Sequence, residues 1–340
     1  MLAAETRAGN EKGVDEPADI TTMAVTPAAE SELFREWLDI IHRETSSAPS
    51  TSNNKTRASG RMQFSPVLCA AVAKGVPETV RGMVWQELSR SHQLRHMFDD
   101  SVYDKLQEGE VADEKILVRD MARTFPENDV FKEKDGYGQQ RLQRVMKAYA
   151  KYDPQVGYCQ GMAFLAGFLL MHMPEQEAFW TLVQMMYEYG LRYTFVTGMP
   201  LLREYMHILH CAVVELLPKL SAHLAKVGVA ETLFAPQWIA TLFSSHFPAP
   251  WTARVWDLWF VLGPLWVVKV SFALLQINQQ GIMSQRTFEG VVQALRNINN
   301  PKENVEEVIN IALACKLTPT RLKQWQDDFR KSDRRTSDES

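Results

Sequence analysis

Apolar residues recur at helical spacing along most of the chain. Leu142, Val145, Met146 and Tyr149, for example, stand three or four positions apart, which places them on one face of a helix. No region alternates apolar and polar residues with period two over several strands, and no Asn-Gly or Asp-Gly turn lies between β-branched runs. The pattern therefore predicts an all-α fold, in which Gly- and Pro-containing breaks separate the helices.

Composition divides the chain into segments. The first residues are polar and rich in Ala, Pro and Thr without periodicity, which is typical of disorder. Leu33, Trp37 and Ile41 then fall on one helical face, and a stretch rich in Ser, Thr and Asn follows them. The predicted segments are a disordered start (1–30), an amphipathic helix (31–44), a linker (45–63), the main helical domain (64–297), a C-terminal helical extension (298–330) and a disordered tail (331–340).

Two apolar stretches require a test as membrane spans. Residues 162–173 are too few for a bilayer, which needs roughly 20 apolar residues in a helix. Residues 258–275 are interrupted by Gly263, Pro264 and Lys269, so two buried helices joined at the Gly-Pro pair explain them better. Because the N-terminus carries charges where a signal peptide needs an apolar run, no secretory signal is predicted and we expect a soluble protein.

Charge and cysteine content argue against several classes of function. A net charge of −4 and an isoelectric point near 6.1 argue against a nucleic-acid-binding protein. The four cysteines, Cys69, Cys159, Cys211 and Cys315, are widely spaced without a C-x-x-C pair, which suits a reducing compartment. There is no G-x-x-x-x-G-K-[ST] loop, so the chain is not expected to bind a nucleotide by that route.

An arginine in the stretch LVRDMARTFP is the first candidate for chemistry. Leu117, Asp120 and Arg123 follow one another at spacing three, so they share a helical face just before a Thr-Phe-Pro stop. One interpretation is a surface salt bridge between Asp120 and Arg123. The other is a group that stabilises a charged phosphoryl transition state, because a guanidinium stays charged and can contact two oxygens at once.

A glutamine in the stretch YDPQVGYCQGM is the second candidate. Gly157 and Gly161 flank its segment and permit a tight turn, after which an apolar helix begins. Gln160 either caps a backbone group at the start of that helix or orients an attacking water. Neither an arginine nor a glutamine titrates usefully near neutral pH, so the pair suits phosphoryl transfer better than acid–base catalysis.

These two segments resemble motifs of the TBC domain, a module that activates the GTPase activity of Rab GTPases. Leu117, Asp120 and Arg123 match the I-x-x-D-x-x-R motif of this family, with leucine where isoleucine is usual. Tyr158 and Gln160 match its Y-x-Q motif. The other matches are Arg81, Gly82, Val84 and Trp85 in R-G-x-V-W, followed in the second half of the domain by Trp238, Phe247, Pro248, Arg254, Trp256 and Asp257.

The resemblance covers residues 64–297 and implies a two-lobed, all-α TBC fold. It makes Arg123 an arginine finger that reaches in trans to the phosphates of bound GTP. Gln160 becomes the group that orients the hydrolytic water, in place of the glutamine of the GTPase itself. The residues expected to support this pair are Asp120, Tyr158, Gly161 and Arg81.

The supporting residues have distinct expected roles. Tyr158 is expected to position Gln160 rather than to take part in the chemistry. Arg81 is either half of a scaffold ion pair or part of a cationic floor near the fingers. Trp85 and the aromatic residues of the second half are expected in the core.

The resemblance also implies a partner and a setting. The expected partner is a GTP-bound Rab, which carries the Mg²⁺ and the nucleotide, so no cofactor and no metal are expected on this chain. No nucleic-acid partner is expected. The implied localisation is cytoplasmic, with contact to endomembranes only peripheral, through the Rab or other partners.

Two alternatives remain open. A catalytically silent TBC scaffold would bind a Rab without activating it; loss of either finger would favour this interpretation, and both fingers are present. A metal- or cysteine-dependent hydrolase would use the pairs His92 and His96 or His207 and His210, or the thiol of Cys159. No H-E-x-x-H pattern accompanies the histidines, and Cys159 adjoins an apolar helix without the small-residue elbow of known nucleophiles.

Overall fold

The computed structural model describes residues 27–47, 64–112, 114–299 and 304–338. These residues form helices joined by turns, and no strand occurs among them, which confirms the predicted all-α class. Their α-helices are α1 (Pro27–Ser47), α2 (Pro66–Lys74), α3 (Glu78–Ser89), α4 (Ser91–Arg95), α5 (Val102–Gln107), α6 (Glu114–Met121), α7 (Tyr137–Tyr152), α8 (Met162–Leu170), α9 (Glu175–Tyr187), α10 (Pro200–Leu216), α11 (Pro218–Val227), α12 (Ala235–Ala240), α13 (Ala249–Leu262), α14 (Trp266–Ser284), α15 (Phe288–Asn297), α16 (Val305–Ala314) and α17 (Pro319–Asp338). Short 3-10 helices occupy Leu191–Thr194 and Glu231–Leu233.

Helices α2 to α9 form the first lobe, with α7 at its centre. α7 packs against α5, α6, α8 and α9. Its apolar stripe of Leu142, Val145, Met146 and Tyr149 is fully buried, as the spacing of these residues predicts. Because α6 and α8 both rest on this helix, the segments that follow α6 and precede α8 lie on the same lobe.

Helices α10 to α17 form the second lobe around α10 and α14. α10 packs against α11, α12, α14 and α17, and α14 packs against α13, α15 and α16. Ion pairs hold α17 along α10: Arg321 pairs with Glu215 at 2.6 Å, and Arg330 pairs with Glu204 at 3.1 Å. The order of these pairs shows that the two helices run antiparallel.

Helix α13 joins the two lobes. It contacts α2 and α3 on one side and α14 and α16 on the other. Trp85 of α3 meets Trp256 of α13 at a ring-centroid distance of 5.4 Å and Phe168 of α8 at 5.9 Å, and all three rings are buried. The tryptophans of both motifs are therefore core residues, as predicted.

The first helix is longer than the sequence predicts. α1 (Pro27–Ser47) extends beyond the predicted helix 31–44 at both ends, so the predicted disordered start and linker each lose a few residues to it. The remainder of those two segments, residues 1–26 and 48–63, lies outside the described residues. α1 is anchored on α2 and α3, with Trp37 buried against the first lobe.

The last helix is longer than the sequence predicts. α17 continues to Asp338, whereas the sequence predicts a disordered tail over 331–340. The reason is tertiary, because Asp333 forms an ion pair with Arg203 on α10 and extends the contact between the two helices. Composition alone indicates a solvated segment and does not show this neighbour.

The described residues contain no single helix that is long and apolar enough to cross a membrane. By length and composition, the pair α10 and α11, bent by 113°, passes the same test together.

Candidate functional site

The residues that carry Arg123, here called the arginine segment (122–126), begin where α6 ends. The amide of Arg123 donates to the carbonyl of Asp120 at 3.2 Å, and the amide of Thr124 donates to Met121 at 3.2 Å. The hydroxyl of Thr124 also donates to the Asp120 carbonyl, at 2.7 Å. These bonds tighten the last turn of the helix, so Arg123 lies just beyond its end rather than within it.

Asp120 and Arg123 form an ion pair with very unequal exposure. The guanidinium lies 2.7 Å from Oδ1 of Asp120, whose side chain is 3% exposed, whereas the Arg123 side chain is 48% exposed. The salt bridge that the spacing suggests is therefore present. It holds one edge of the guanidinium and leaves the rest open to an incoming anion, so the structural and the catalytic interpretations are compatible.

Gln160 lies in a tight segment between α7 and α8. Gly157 and Gly161 have φ angles of +60° and +101°, which side-chain-bearing residues rarely adopt. Gln160 itself is exposed, and its side chain has no hydrogen-bond partner among the described residues. The predicted alternative, a glutamine that caps the following helix, therefore has no hydrogen bond to support it.

One hydrogen bond connects the two segments. The hydroxyl of Tyr158 donates to Oδ2 of Asp120 at 2.9 Å, and both side chains are buried. Burial raises the pKa of Tyr158 well above its ordinary value, and the hydrogen bond to Asp120 raises it further, so the tyrosine remains a proton donor. Asp120 thus binds Arg123 with one oxygen and the glutamine segment with the other.

A second carboxylate, that of Asp153, anchors the glutamine segment (residues 155–161), which carries Gln160. Asp153, which ends α7, receives two hydrogen bonds from Arg192, at 2.6 and 2.9 Å, and its carbonyl accepts from the amides of Val156 and Gly157. Burial raises the pKa of Asp153, but the hydrogen bonds and charge of Arg192 outweigh this and hold the pKa below its usual range. The turn before Gln160 is consequently fixed by an ion pair.

The second lobe also reaches the site. Thr241, at the end of α12, lies against Gly161, so a Cβ atom at Gly161 would be 3.6 Å from the Thr241 methyl group. The distance itself is ordinary, and it is the backbone angle that requires glycine here. Gln160 therefore lies where the first lobe meets the second.

Arg81 belongs to a different part of the molecule. Its guanidinium is buried and bonds to the carboxylates of Asp257, at 3.2 Å, and Glu78, and to the carbonyl of Val76 at 2.6 Å. The pKa of Asp257 is raised to about 6, because burial outweighs the opposing charges of Arg81 and Arg254. These contacts correspond to the scaffold interpretation of Arg81, since they occupy its guanidinium inside the protein.

The rival sites find little support in the described residues. They contain no group of three or more His, Cys, Asp or Glu side chains that could hold a metal ion. The thiol of Cys159 donates to the carbonyl of Phe195 at 3.3 Å, and His210 faces Glu231. The segments around Arg123 and Gln160 therefore offer a cation and an amide, while the thiol of Cys211 lies 3.5 Å from Nε2 of His207 elsewhere in the described residues.

Comparison with known proteins identifies the family. The family model of the Rab-GTPase-TBC domain matches residues 78–283, more than half of the chain. This chain belongs to the Rab-GTPase-TBC domain family. The matched region of the TBC domain contains the arginine segment, the glutamine segment and both tryptophan motifs, so the resemblance seen in the sequence is confirmed.

Relatives and solved structures agree with this assignment. The Ecotropic viral integration site 5 protein homolog of Homo sapiens is 38% identical over 76% of this chain and 32% of its own length. The Rab GTPase-activating protein tbc-11 of Caenorhabditis elegans is 32% identical over 95% of this chain and 34% of its own length. The chain thus spans about a third of the length of these relatives.

The fold is also that of solved TBC domains. The crystal structure of the Chlamydomonas flagellar RabGAP TBC domain matches with a TM-score of 0.68 and 23% sequence identity, over 83% of this chain and 91% of that one. At this level of identity the match concerns the fold, which is the two-lobed, all-α arrangement that the resemblance implies.

Two features of the candidate site were not expected from the sequence. The pair Asp153–Arg192 lies outside the motifs, and its only signal is an acidic residue placed before a proline at the end of a helix. The second is Phe125, which the sequence shows only as part of a helix stop but which has a φ angle of +51° in the structure. Both depend on contacts with residues far away in the chain.

Proposed function

We propose that this TBC domain accelerates GTP hydrolysis on a Rab-family GTPase, with Arg123 and Gln160 acting in trans. The observation that carries the proposal is the Asp120 bridge. The buried carboxylate of Asp120 pairs with the exposed guanidinium of Arg123. It also accepts a hydrogen bond from Tyr158, which stands two residues before the exposed Gln160. The family assignment supports the class of partner, since relatives of this chain include a protein described as a Rab GTPase-activating protein.

The proposed roles follow from the chemistry of the two side chains. Arg123 stabilises negative charge on the phosphoryl oxygens as the bond to the leaving group breaks. A finger of this kind is worth about 10³–10⁵ in rate, or roughly 4–7 kcal/mol of barrier. Gln160 holds the attacking water in line. The partner supplies the nucleotide and Mg²⁺, so this chain needs no cofactor, and its contact with endomembranes is peripheral, through the Rab.

The arginine is tested by single-turnover GTP hydrolysis on a panel of GTP-loaded Rabs. Arg123→Lys keeps the charge but loses the planar fork, so we expect nearly complete loss of stimulation with an unchanged melting temperature. Arg119→Lys, at an exposed position of α6, is the matched control and should remain active. Activity of Arg123→Lys within about threefold of wild type would contradict the finger role.

The glutamine is tested with two partners. Gln160→Ala should abolish stimulation, whereas Gln324→Ala, at an exposed position of α17, should not. A Rab whose own switch glutamine is substituted should still respond to the wild-type chain. If wild type binds GTP-loaded Rabs but accelerates none of them, the chain is a scaffold and the proposal fails.

A further inference from the structure

Phe125 has an unusual backbone conformation directly after the proposed finger. Its φ angle of +51° lies in the left-handed region, which is uncommon for a bulky residue and persists only when the surroundings hold it. Arg123 lies two residues before it in the same turn. Whatever fixes Phe125 therefore also limits the positions available to Arg123.

The ring of Phe125 is seated on α8. A Cβ atom at Gly167 would lie 3.0 and 3.1 Å from two carbons of this ring, so an alanine there would push the ring away by a few tenths of an ångström. Phe164, one turn earlier on α8, meets the ring edge-on at a centroid distance of 5.3 Å, and Phe131 meets it at 5.8 Å. These contacts are of the kind that favour a specific ring orientation.

The same helix carries the other proposed finger. α8 begins at Met162, directly after Gln160 and Gly161, and Gly167 lies five residues further along, about 7.5 Å at the helical rise. One rigid element thus positions Gln160 at its start and receives the arginine segment in its second turn. This contact is separate from the Asp120–Tyr158 hydrogen bond.

We infer that Phe125 and Gly167 are positioning residues, which set Arg123 at a fixed distance from Gln160 by seating the Phe125 ring on α8. The inference rests on the proposed function, because it concerns the geometry of the same two side chains. Phe125 and Gly167 do not touch the reacting atoms. Their effect is on how often both fingers are aligned together, and a misplacement of about 1 Å can cost roughly 10²-fold in rate.

Four variants test the contact. Gly167→Ala places a methyl group against the ring, Phe125→Ala removes the ring, and the double variant combines the two changes. Phe125→Tyr keeps the ring and serves as the conservative rescue. Gly281→Ala is the matched control, because it also replaces a helical glycine and its Cβ would meet no heavy atom within 4 Å.

We expect Gly167→Ala and Phe125→Ala each to lower the single-turnover rate at saturating protein by at least about tenfold, while KM for the GTP-loaded Rab changes less than about threefold. The double variant should be no slower than Phe125→Ala alone, since both changes break one contact. Phe125→Tyr and Gly281→Ala should behave as wild type. Additive losses, or losses that follow the melting temperature across the series, would indicate a merely structural role and overturn the inference.

A readout on the free chain separates this inference from the proposed function. Hydrogen exchange in residues 120–131 should accelerate in Gly167→Ala and not in Gly281→Ala, in the absence of any Rab. If wild type stimulates no Rab, the proposed function fails, and this exchange experiment still shows whether Gly167 orders the arginine segment. Unchanged exchange in Gly167→Ala would overturn the inference whatever the activity of wild type.

Discussion

Asp120 shows most clearly how single residues build the TBC site. Its side chain is buried, yet Oδ1 forms an ion pair with the half-exposed Arg123, and Oδ2 accepts a hydrogen bond from the buried Tyr158. The carbonyl of the same residue accepts the hydroxyl of Thr124. One residue therefore contacts the end of α6, the side chain of Arg123 and the segment that carries Gln160.

Asp120→Asn should separate the charge of this residue from its shape. An asparagine oxygen can still accept from Tyr158, but its amide group cannot hold the guanidinium, so we expect single-turnover stimulation to fall by roughly 10²-fold. Because Arg123 is half exposed, loss of the ion pair should cost the fold only about 0–1 kcal/mol. Rates and urea denaturation of the same preparation measure both effects.

Tyr158→Phe is the companion variant for this test. It leaves Oδ2 of Asp120 buried without a donor, which costs about 1–3 kcal/mol of the free energy of unfolding. If Asp120→Asn instead unfolds early and remains fully active when folded, Asp120 is part of the scaffold alone.

At the scale of elements, a close contact between Gly82 and the backbone of His172 decides how α3 packs on the first lobe. At Gly82, a Cβ atom would lie 2.1 Å from the carbonyl oxygen of His172, in the turn between α8 and α9. Trp85, one turn later, packs on Phe168 and donates to Asp257 at 2.9 Å. The R-G-x-V-W motif thus attaches α3 both to the helix that follows Gln160 and to the second lobe.

Gly82→Ala should destabilise the TBC domain by about 1–3 kcal/mol, because the backbone of the neighbouring turn must move to admit the methyl group. Gly281→Ala, at an open position in the last turn of α14, should be neutral or gain up to about 0.5–1 kcal/mol through helix propensity. Chemical denaturation of the two variants measures the difference. Equal stabilities would show that α3 can shift without cost.

At the scale of the whole molecule, α1 attaches to the first lobe through one carboxylate and two buried apolar side chains. The carboxylate of Glu44 accepts the amide of Ser65 at 3.1 Å, and Trp37 and Ile40 are buried beneath the helix. Glu87 of α3 lies near Glu44. The pKa of Glu87 is raised to about 7: burial is the largest cause, the charge of Glu44 adds to it, and the charge of Arg90 opposes it.

This pKa predicts a change of stability with pH. A carboxyl whose pKa rises on folding stabilises the fold below its unfolded pKa near 4.5, and that contribution is lost as the pH rises through about 7. Glu87→Gln removes the ionisation, so the variant should melt above wild type at pH 8, and the difference should shrink as the pH falls and vanish only below about pH 4.5. Thermal melts across this range provide the measurement.

Glu44→Gln is the control for the origin of the shift. It keeps an oxygen for Ser65 and removes the neighbouring charge, so the pH dependence assigned to Glu87 should become smaller but should remain, since burial is the larger cause. A steeper loss of stability with pH in Glu44→Gln would show that the two carboxylates do not face each other.

The sequence by itself determined the fold class of this protein and many of its core residues. Helical spacing of apolar residues predicted the buried stripe of α7, since periodic burial is a local property that a chain records residue by residue. The motifs around Trp85 and Trp256 predicted core residues. Arg123 and Gln160 were recognised because their side chains suit phosphoryl chemistry and stand in a family pattern; their roles stay predictions.

Only the tertiary structure decided how these parts meet. Asp120 and Tyr158 are 38 positions apart, and Asp153 and Arg192 are 39 apart, so no local pattern indicates that they pair. The contact between the Phe125 ring and Gly167 depends on how α6 and α8 pack against α7. The helical end of α17 depends on its ion pair with α10. Local periodicity encodes which face of a helix is buried, whereas the choice of polar partners is made only when helices distant in sequence come into contact.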